Sequence, residues 1–301
     1  MTSTHPLAGV YAAAVTPLKH DSSLDLESVP ALLAFLASRG CHGALFFGTT
    51  GEGPSFSPSE RESLMRSVRA YRQLVPGFRL LAGTGTPSLS ETIDLTKLAF
   101  ELGYDGVVVL PPYYFRKATE AGLFNWFSEV IKKSVPSDKY LLGYHFPNVA
   151  GIGLSVELLS RLKDAFPSQF AGIKDSSHDP ALASTLGKKF GSDLVVLTGT
   201  DSYLQLAMQN QAAGCITAPA NLISPDLREV WDLSQADKDA SEVQARVTRQ
   251  RHILEKYPPF PSTLKALMHR MHELPKWSVK PPLEDMSDEL AQLAESELKE
   301  L

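Results

Sequence analysis

Eight short apolar runs, separated by longer segments of helical period, limit what this chain can fold into. They cover residues 9–15, 43–47, 79–83, 106–110, 140–144, 170–174, 194–198 and 214–218. Their apolar residues are continuous rather than alternating, the pattern of parallel strands covered on both faces. Between them, residues 26–38 carry Val29, Leu32, Leu33 and Leu36 on one helical face, and residues 119–135 carry Leu123, Trp126, Phe127, Val130 and Ile131 at the same spacing. Ser57-Pro58-Ser59-Glu60 reads as a capping box with proline at the first helical position, and Ser88-Leu89-Ser90-Glu91 as a second box. Residues 155–165, 179–186 and 202–213 continue the helical pattern, the last with Asp201 as its expected N-cap. Strand and helix alternating eight times in about 220 residues predict an α/β fold, a (β/α)8 TIM barrel. A doubly wound sheet would be better supported by a GxGxxG turn after the first strand, and none is present.

After Asn221 the β-rich runs stop. The expected organisation is a catalytic barrel over residues 1–230 and a C-terminal helical extension over residues 231–301, packed on the barrel. The final acidic segment, 284–301, places Leu290, Leu293 and Leu298 at helical intervals and reads as a packed amphipathic helix. A net charge of −5 argues against a nucleic-acid partner. No run of about 18 apolar residues occurs, so no membrane span is expected. The opening MTSTHPLAG lacks the charged-then-apolar pattern of a signal peptide. Cys41 and Cys215 are the only cysteines, each beside a glycine in an apolar setting, and read as small buried residues of a cytoplasmic protein. The histidines form no HxxxH or HxH cluster, so no metal site is expected.

In a barrel of this kind the chemistry gathers at the carboxyl ends of the strands. Strand one ends in Thr16-Pro17, strand two in Gly48-Thr49-Thr50-Gly51-Glu52, and strand four in Pro111-Pro112-Tyr113-Tyr114. Strand five ends in Tyr144, strand six in Lys174, and strand seven in Gly199-Thr200-Asp201. A lysine that closes an apolar run is unusual, because a buried ammonium is costly unless paired or neutralised. One reading has Lys174 reaching solvent or an acidic neighbour such as Asp175. The other makes it a Schiff-base lysine, with a low-polarity surrounding favouring the neutral amine that attacks a ketone. Tyr144 is then its proton-transfer partner, or else a core aromatic with a satisfied hydroxyl. The Gly48 loop offers a sharp turn, two hydroxyls and exposed N–H groups able to hold a carboxylate. Its alternative is a tight turn with local threonine hydrogen bonds.

Together these residues closely resemble the dihydrodipicolinate synthase / N-acetylneuraminate lyase family of class I, Schiff-base pyruvate aldolases. One signature is Gly43-Ala44-Leu45-Phe46-Phe47-Gly48-Thr49-Thr50-Gly51-Glu52. The other begins at Tyr144-His145-Phe146-Pro147 and ends at Gly172-Ile173-Lys174-Asp175, with the tyrosine and the lysine thirty positions apart. The paired Tyr113-Tyr114 also matches, and the correspondence runs from residue 9 to residue 282. The resemblance implies that Lys174 forms an imine with the ketone of pyruvate, with no metal and no other cofactor. It implies that Tyr144 moves the proton to or from the acceptor oxygen, and that Thr49 relays protons between Tyr144 and Tyr114. It further implies that Tyr114 reaches into a neighbouring subunit, so that the protein is a homo-oligomer, a dimer or tetramer. Thr50 would hold the pyruvate carboxylate beside Gly48, while Gly199 and Ile216 line the pyruvate pocket.

One departure bears on the substrate. The family's dihydrodipicolinate synthases carry an arginine five residues after the tyrosine, where it binds the carboxylate of aspartate semialdehyde. Here that position is Val149, whose side chain cannot make a bidentate contact to a carboxylate. The expected partners are therefore a small-molecule 2-oxo acid and an aldehyde: a 2-keto-3-deoxy sugar acid or 4-hydroxy-2-oxoglutarate, cleaved to pyruvate plus an aldehyde or formed from them. His145, Asn148, Thr200, Asp201 and Ser202 offer hydrogen bonds to a polyol, or else serve local turns and caps. Three other readings stay open. One is a 4-hydroxy-tetrahydrodipicolinate synthase with another cation in place of the arginine. Another is a dehydratase of a keto-deoxy sugar diacid, and the last is a non-catalytic barrel that binds a 2-oxo acid.

Overall fold

A computed structural model describes residues 5–301. Eight parallel strands close into a barrel in the order β1 to β8. They are β1 Gly9–Ala13, β2 Gly43–Phe46, β3 Arg79–Gly83, β4 Gly106–Val109, β5 Tyr140–His145, β6 Phe170–Asp175, β7 Val195–Thr198 and β8 Gly214–Thr217. Each apolar run of the sequence yields one strand, shifted by at most two residues at an end. Helices α1 Val29–Ser38, α2 Pro58–Tyr71, α3 Leu89–Glu101, α4 Glu120–Ser134, the short α5 Pro147–Ala150, α6 Val156–Ala165, α7 Pro180–Phe190, α8 Leu204–Gln209 and α9 Ala220–Gln235 intervene or follow. The extension adds α10 Ser241–Glu255, α11 Phe260–His272 and α12 Asp288–Lys299. Residue 230 falls inside α9, which passes from the barrel towards the extension as one helix kinked at Ile223, two residues before Pro225.

Side-chain alternation sorts the apolar residues into two cores. Tyr11, Leu45, Leu81, Val108, Leu142, Leu197 and Ile216 fill the barrel interior. Val10, Ala44, Phe46, Leu80, Val107, Leu141, Ile173 and Val196 face outwards to the helices. The continuous runs are explained by this double burial. A bulge displaces the β5–β6 register between Leu141 and Leu142, and beyond it Tyr144 pairs directly with Lys174. Both cysteines are buried and free, and burial pushes the Cys41 thiol up to about 11. No helix among the described residues is long and apolar enough to cross a membrane.

Several local expectations need correction. The capping box at Ser57 is complete, whereas Ser88 accepts from the Glu91 N–H without the reciprocal bond. Asp201 is no N-cap. It opens a 3-10 turn, Asp201–Tyr203, ahead of α8, and its carboxylate is fully buried against Arg251. In α12, Leu290 and Leu293 are 49% and 51% exposed, and the docked stripe is Ala291 and Ala294 with Leu298 partly covered. Small residues let α12 approach closely. The ion pairs Arg270–Glu295 and Lys256–Glu297, at 2.8 and 2.6 Å, then tie its acidic residues to the rest of the extension.

The amino end of β2 is held by a neutral histidine. His42 accepts a hydrogen bond from the Val10 N–H at 3.0 Å and lies edge-on to Trp231, their ring centroids 4.6 Å apart. Burial, reinforced by Arg228 and Arg79, pushes its pKa from 6.5 down to about 4. The folded ring therefore stays unprotonated down to about pH 4, whereas the unfolded chain takes up that proton near 6.5. Stability attributable to this residue is lost as the pH falls from 6.5 towards 4. Thermal melts at pH 7 and pH 5 should show a lower melting temperature at pH 5, and His42→Gln should narrow that gap. An equal gap in the variant would show that His42 does not contribute.

Candidate active site

Register places the two reactive side chains. Lys174 and Tyr144 are paired neighbours on β6 and β5, and both point into the barrel mouth. The Lys174 Nζ lies 4.2 Å from the centroid of the Tyr144 ring. The residues are 3% and 6% exposed, so Lys174 does not reach bulk solvent. Nor does it pair with Asp175, whose carboxylate accepts from the Ser177 N–H at 3.0 Å. Among the described residues Lys174 makes no hydrogen bond and no ion pair, which leaves its nitrogen open to a ligand.

The threonine loop is shaped by its backbone. Phe47 and Glu52 have φ of 57° and 55°, in the left-handed region, and bracket the turn. The Glu52 and Gly53 N–H groups donate to the Thr49 and Gly48 carbonyls, both at 3.1 Å. A side chain at Gly53 would place its Cβ 2.1 Å from the Phe47 carbonyl oxygen, so glycine is required there. The Thr16 hydroxyl secures the turn from β1 by donating to the Gly51 carbonyl at 2.7 Å. The hydroxyls of Thr49 and Thr50 have no partner among the described residues, and both threonines line the same cavity as Lys174. The local hydrogen-bonding alternative for this loop is thus not realised.

That cavity is about 370 Å³ and also contains Tyr144, Gly199 and Ile216. Gly199 leaves room for Ser176, whose Oγ would lie 1.9 Å from a Cβ at that position. A smaller pocket of about 30 Å³, room for one water, adjoins it through Thr49 and Tyr144 and brings in Gly48. Six expected residues therefore converge on one cavity, and Gly48 sits beside it.

Four expected residues lie elsewhere. Because Tyr144 points inwards, its neighbour His145 points outwards. Its Nδ1 accepts from the Leu154 N–H at 2.8 Å, and burial lowers its pKa while Asp175 and Asp179 oppose the shift. Thr200 is buried, with its N–H on the Thr198 hydroxyl at 3.1 Å and its own hydroxyl 3.4 Å from His178 Nδ1. Val149 is 45% exposed on α5. Tyr114 is 76% exposed and stands edge-on to Phe115, away from its own chain's cavity.

Sequence reasoning missed Ser176, His178, Phe146 and Ala218 at the strand ends, and Arg251, Pro258, Pro259, Phe260, Pro261 and Leu283 from the extension. Ser176 and Ala218 were within reach, since each stands two residues beyond an inward-facing residue that lines the cavity, Lys174 and Ile216 respectively. Nothing in the sequence marks Arg251.

The barrel mouth thus holds a lysine without a partner among the described residues, a tyrosine against it and unbonded threonine hydroxyls beside it. The model of the Dihydrodipicolinate synthetase family matches residues 6–301, and the chain belongs to that family, whose members are lyases and aldolases. It is 33% identical over 282 residues to an "Uncharacterized DapA-like lyase" of Chloroflexus aurantiacus, covering 93% of this chain and 92% of that one. A crystal structure of dihydrodipicolinate synthase from Agrobacterium tumefaciens superposes with a TM-score of 0.87 at 31% identity, covering 97% of this chain and 99% of that chain. The family member YagE from Escherichia coli K12, solved in complex with pyruvate, superposes with a TM-score of 0.89 at 25% identity and 98% coverage of both chains.

The loop is tied to the extension through a buried ion pair. The Lys265 Nζ donates to Glu52 at 2.5 Å and to the Ser278 carbonyl at 2.7 Å, and both charged side chains are 1% exposed. The second Glu52 oxygen accepts from the Lys280 N–H at 2.7 Å. Burial pushes the Lys265 ammonium down and Glu52 opposes that shift. Removing one member strands the other charge, so Lys265→Met should cost about 3–5 kcal/mol in urea unfolding. The double variant Glu52→Gln/Lys265→Met should recover part of the loss. A cost below about 1 kcal/mol for the single variant would show that the pair does not anchor the loop.

Proposed function

We propose that this chain is a lysine Schiff-base, pyruvate-dependent aldolase or lyase, which cleaves a 2-oxo acid to pyruvate and an aldehyde or joins the two. The observation that carries this reading is the unpaired Lys174 amine, 4.2 Å from the Tyr144 ring, in a cavity whose threonine hydroxyls are unbonded. The neutral amine adds to the 2-oxo carbon, and loss of water leaves an iminium. Breaking the bond between carbons 3 and 4 sends its electron pair into that iminium, giving an enamine. The proton of the 4-hydroxyl passes to Tyr144 as the aldehyde forms, and Thr49 relays it between Tyr144 and Tyr114. Protonation of the enamine at carbon 3 and hydrolysis of the imine release pyruvate and restore the amine. Thr50 and the N–H groups of its turn hold the carboxylate. The iminium is the electron sink, so this chemistry calls on no dissociable cofactor.

Tyr114 enters the scheme from another copy of the chain. In a single chain it is one of the most exposed large side chains, 76% open beside Phe115 at 70%. A neighbouring subunit that covers this pair and receives Tyr114 fits a dimer or tetramer. The synthase reading needs a cation near Val149. Arg116 lies against Gly151 on the neighbouring loop, but it is exposed and does not line the cavity.

Borohydride reduction in the presence of pyruvate should add one reduced pyruvyl group to Lys174, read by peptide mass spectrometry, and an unmodified Lys174 would sink the mechanism. Tyr144→Phe should still trap pyruvate while turnover falls by about 10²–10⁴-fold. Full turnover in that variant would remove Tyr144 from the proton path. A panel of 2-oxo-3-deoxy sugar acids, 4-hydroxy-2-oxoglutarate, and pyruvate with aspartate semialdehyde separates the aldolase from the synthase. Pyruvate binding without turnover on any of them would instead favour the non-catalytic barrel.

A further inference from the structure

Among the described residues Arg251 is the one arginine or lysine besides Lys174 that lines the cavity, and carboxylates already face its charge. It comes from α10, with its side chain 7% exposed, and its guanidinium lies 5.0 Å from the centroid of Phe260. Nη1 donates to Asp201 at 2.9 Å, and Nε donates to Glu255 at 2.7 Å. Asp201 is fully buried and held in place, because its Oδ1 also accepts from the Ser202 N–H and its backbone carbonyl accepts from Gln244 Nε2 at 3.0 Å. Asp201 Oδ2 has no partner among the described residues. One guanidinium thus faces two carboxylates, while its Nη2 has no protein partner among the described residues.

We infer that the substrate arm beyond the aldol carbons is uncharged and hydroxylated, and that Arg251 donates from Nη2 to one of its oxygens. This rests on the imine reading of Lys174. A terminal carboxylate on the arm would be a third anion against one cation, and like charges brought together in a low-dielectric pocket are strongly disfavoured. A hydroxyl oxygen accepts the same donor with no net charge to place. Ser176 and His178 add polar groups to the lining of the same cavity. Of the substrates compatible with the chemistry, this selects 2-oxo-3-deoxyaldonic acids over dicarboxylates such as 4-hydroxy-2-oxoglutarate.

The test measures pyruvate release from one substrate of each kind by the full-length protein. The neutral-armed acid should have a kcat/KM at least about tenfold above that of the dicarboxylate. Glu255→Gln removes one carboxylate at a half-exposed position and should move that ratio about three- to fivefold towards the dicarboxylate, mainly through KM. Arg251→Met should raise KM for the neutral-armed acid. If that variant fails to fold because Asp201 is stranded, Asp201→Asn/Arg251→Met replaces it. A smaller preference, a preference for the dicarboxylate, or a ratio unmoved by Glu255→Gln overturns the inference. Borohydride trapping of pyruvate on Lys174, run in parallel, reports the imine chemistry separately. An adduct with the wrong arm preference refutes the arm alone, and no adduct refutes both.

Discussion

A closed parallel sheet has no free edge, so the register of every strand is set by both of its neighbours. In this chain that constraint brings Tyr144 and Lys174 together. The pairing of β5 with β6 sets Tyr144 opposite Lys174, and the pairing of β6 with β7 sets Lys174 opposite Leu197. A slip of one residue would turn Lys174 into the helical layer, among apolar side chains with no counter-charge. Burial on both faces forbids the slip, because Ala171 would leave the interior core and Ile173 would leave the helical layer at the same time. Stability of the barrel and geometry of the site are therefore one property.

The barrel alone does not complete the cavity. Its outer wall is built from residues 258–261, Leu283 and Arg251, all in the extension. The extension is locked to the threonine loop by the Glu52–Lys265 pair, and to the end of β7 by Arg251 on Asp201. Glu52 is thus the acidic member of a motif whose threonines line the cavity, while its own carboxylate pairs with Lys265 of the extension. Loop and wall share one anchor, so a change in either is felt by both.

The sequence foretold elements whose signal is local. Continuous apolar runs located all eight strands, and a proline-led capping box located the start of α2. Lys174 and Tyr144 stood out because a polar residue closing an apolar run needs a reason. The failures share a different origin. His145 was grouped with Tyr144 by adjacency, yet period-two alternation turns consecutive strand residues to opposite faces. Asp201 looked like a cap because it precedes a helix. What fixes it is an arginine 50 residues further on, which no local pattern can reveal. Leu290 and Leu293 suggested a docked face by their size, but the close approach of α12 is made by alanines.

Two buried lysines show what a missing partner means. Lys265 is 1% exposed and meets a carboxylate and a carbonyl, the arrangement that makes a buried ammonium tolerable. Lys174 is 3% exposed and meets neither. Its nearest compensation is the face of Tyr144, at 4.2 Å, a weaker interaction than an ion pair with a hydrogen bond. Were both lysines there for stability, the same pairing would be expected at each. A carboxylate beside Lys174 would hold the amine in its charged form and occupy its hydrogens, removing the lone pair that attacks a ketone. The fold supplies such a carboxylate one residue away, at Asp175, and turns it out of the barrel. Alternation along β6 thus separates the amine from the acid beside it in sequence, and that separation leaves Lys174 without a counter-charge among the described residues, as the proposed nucleophile requires.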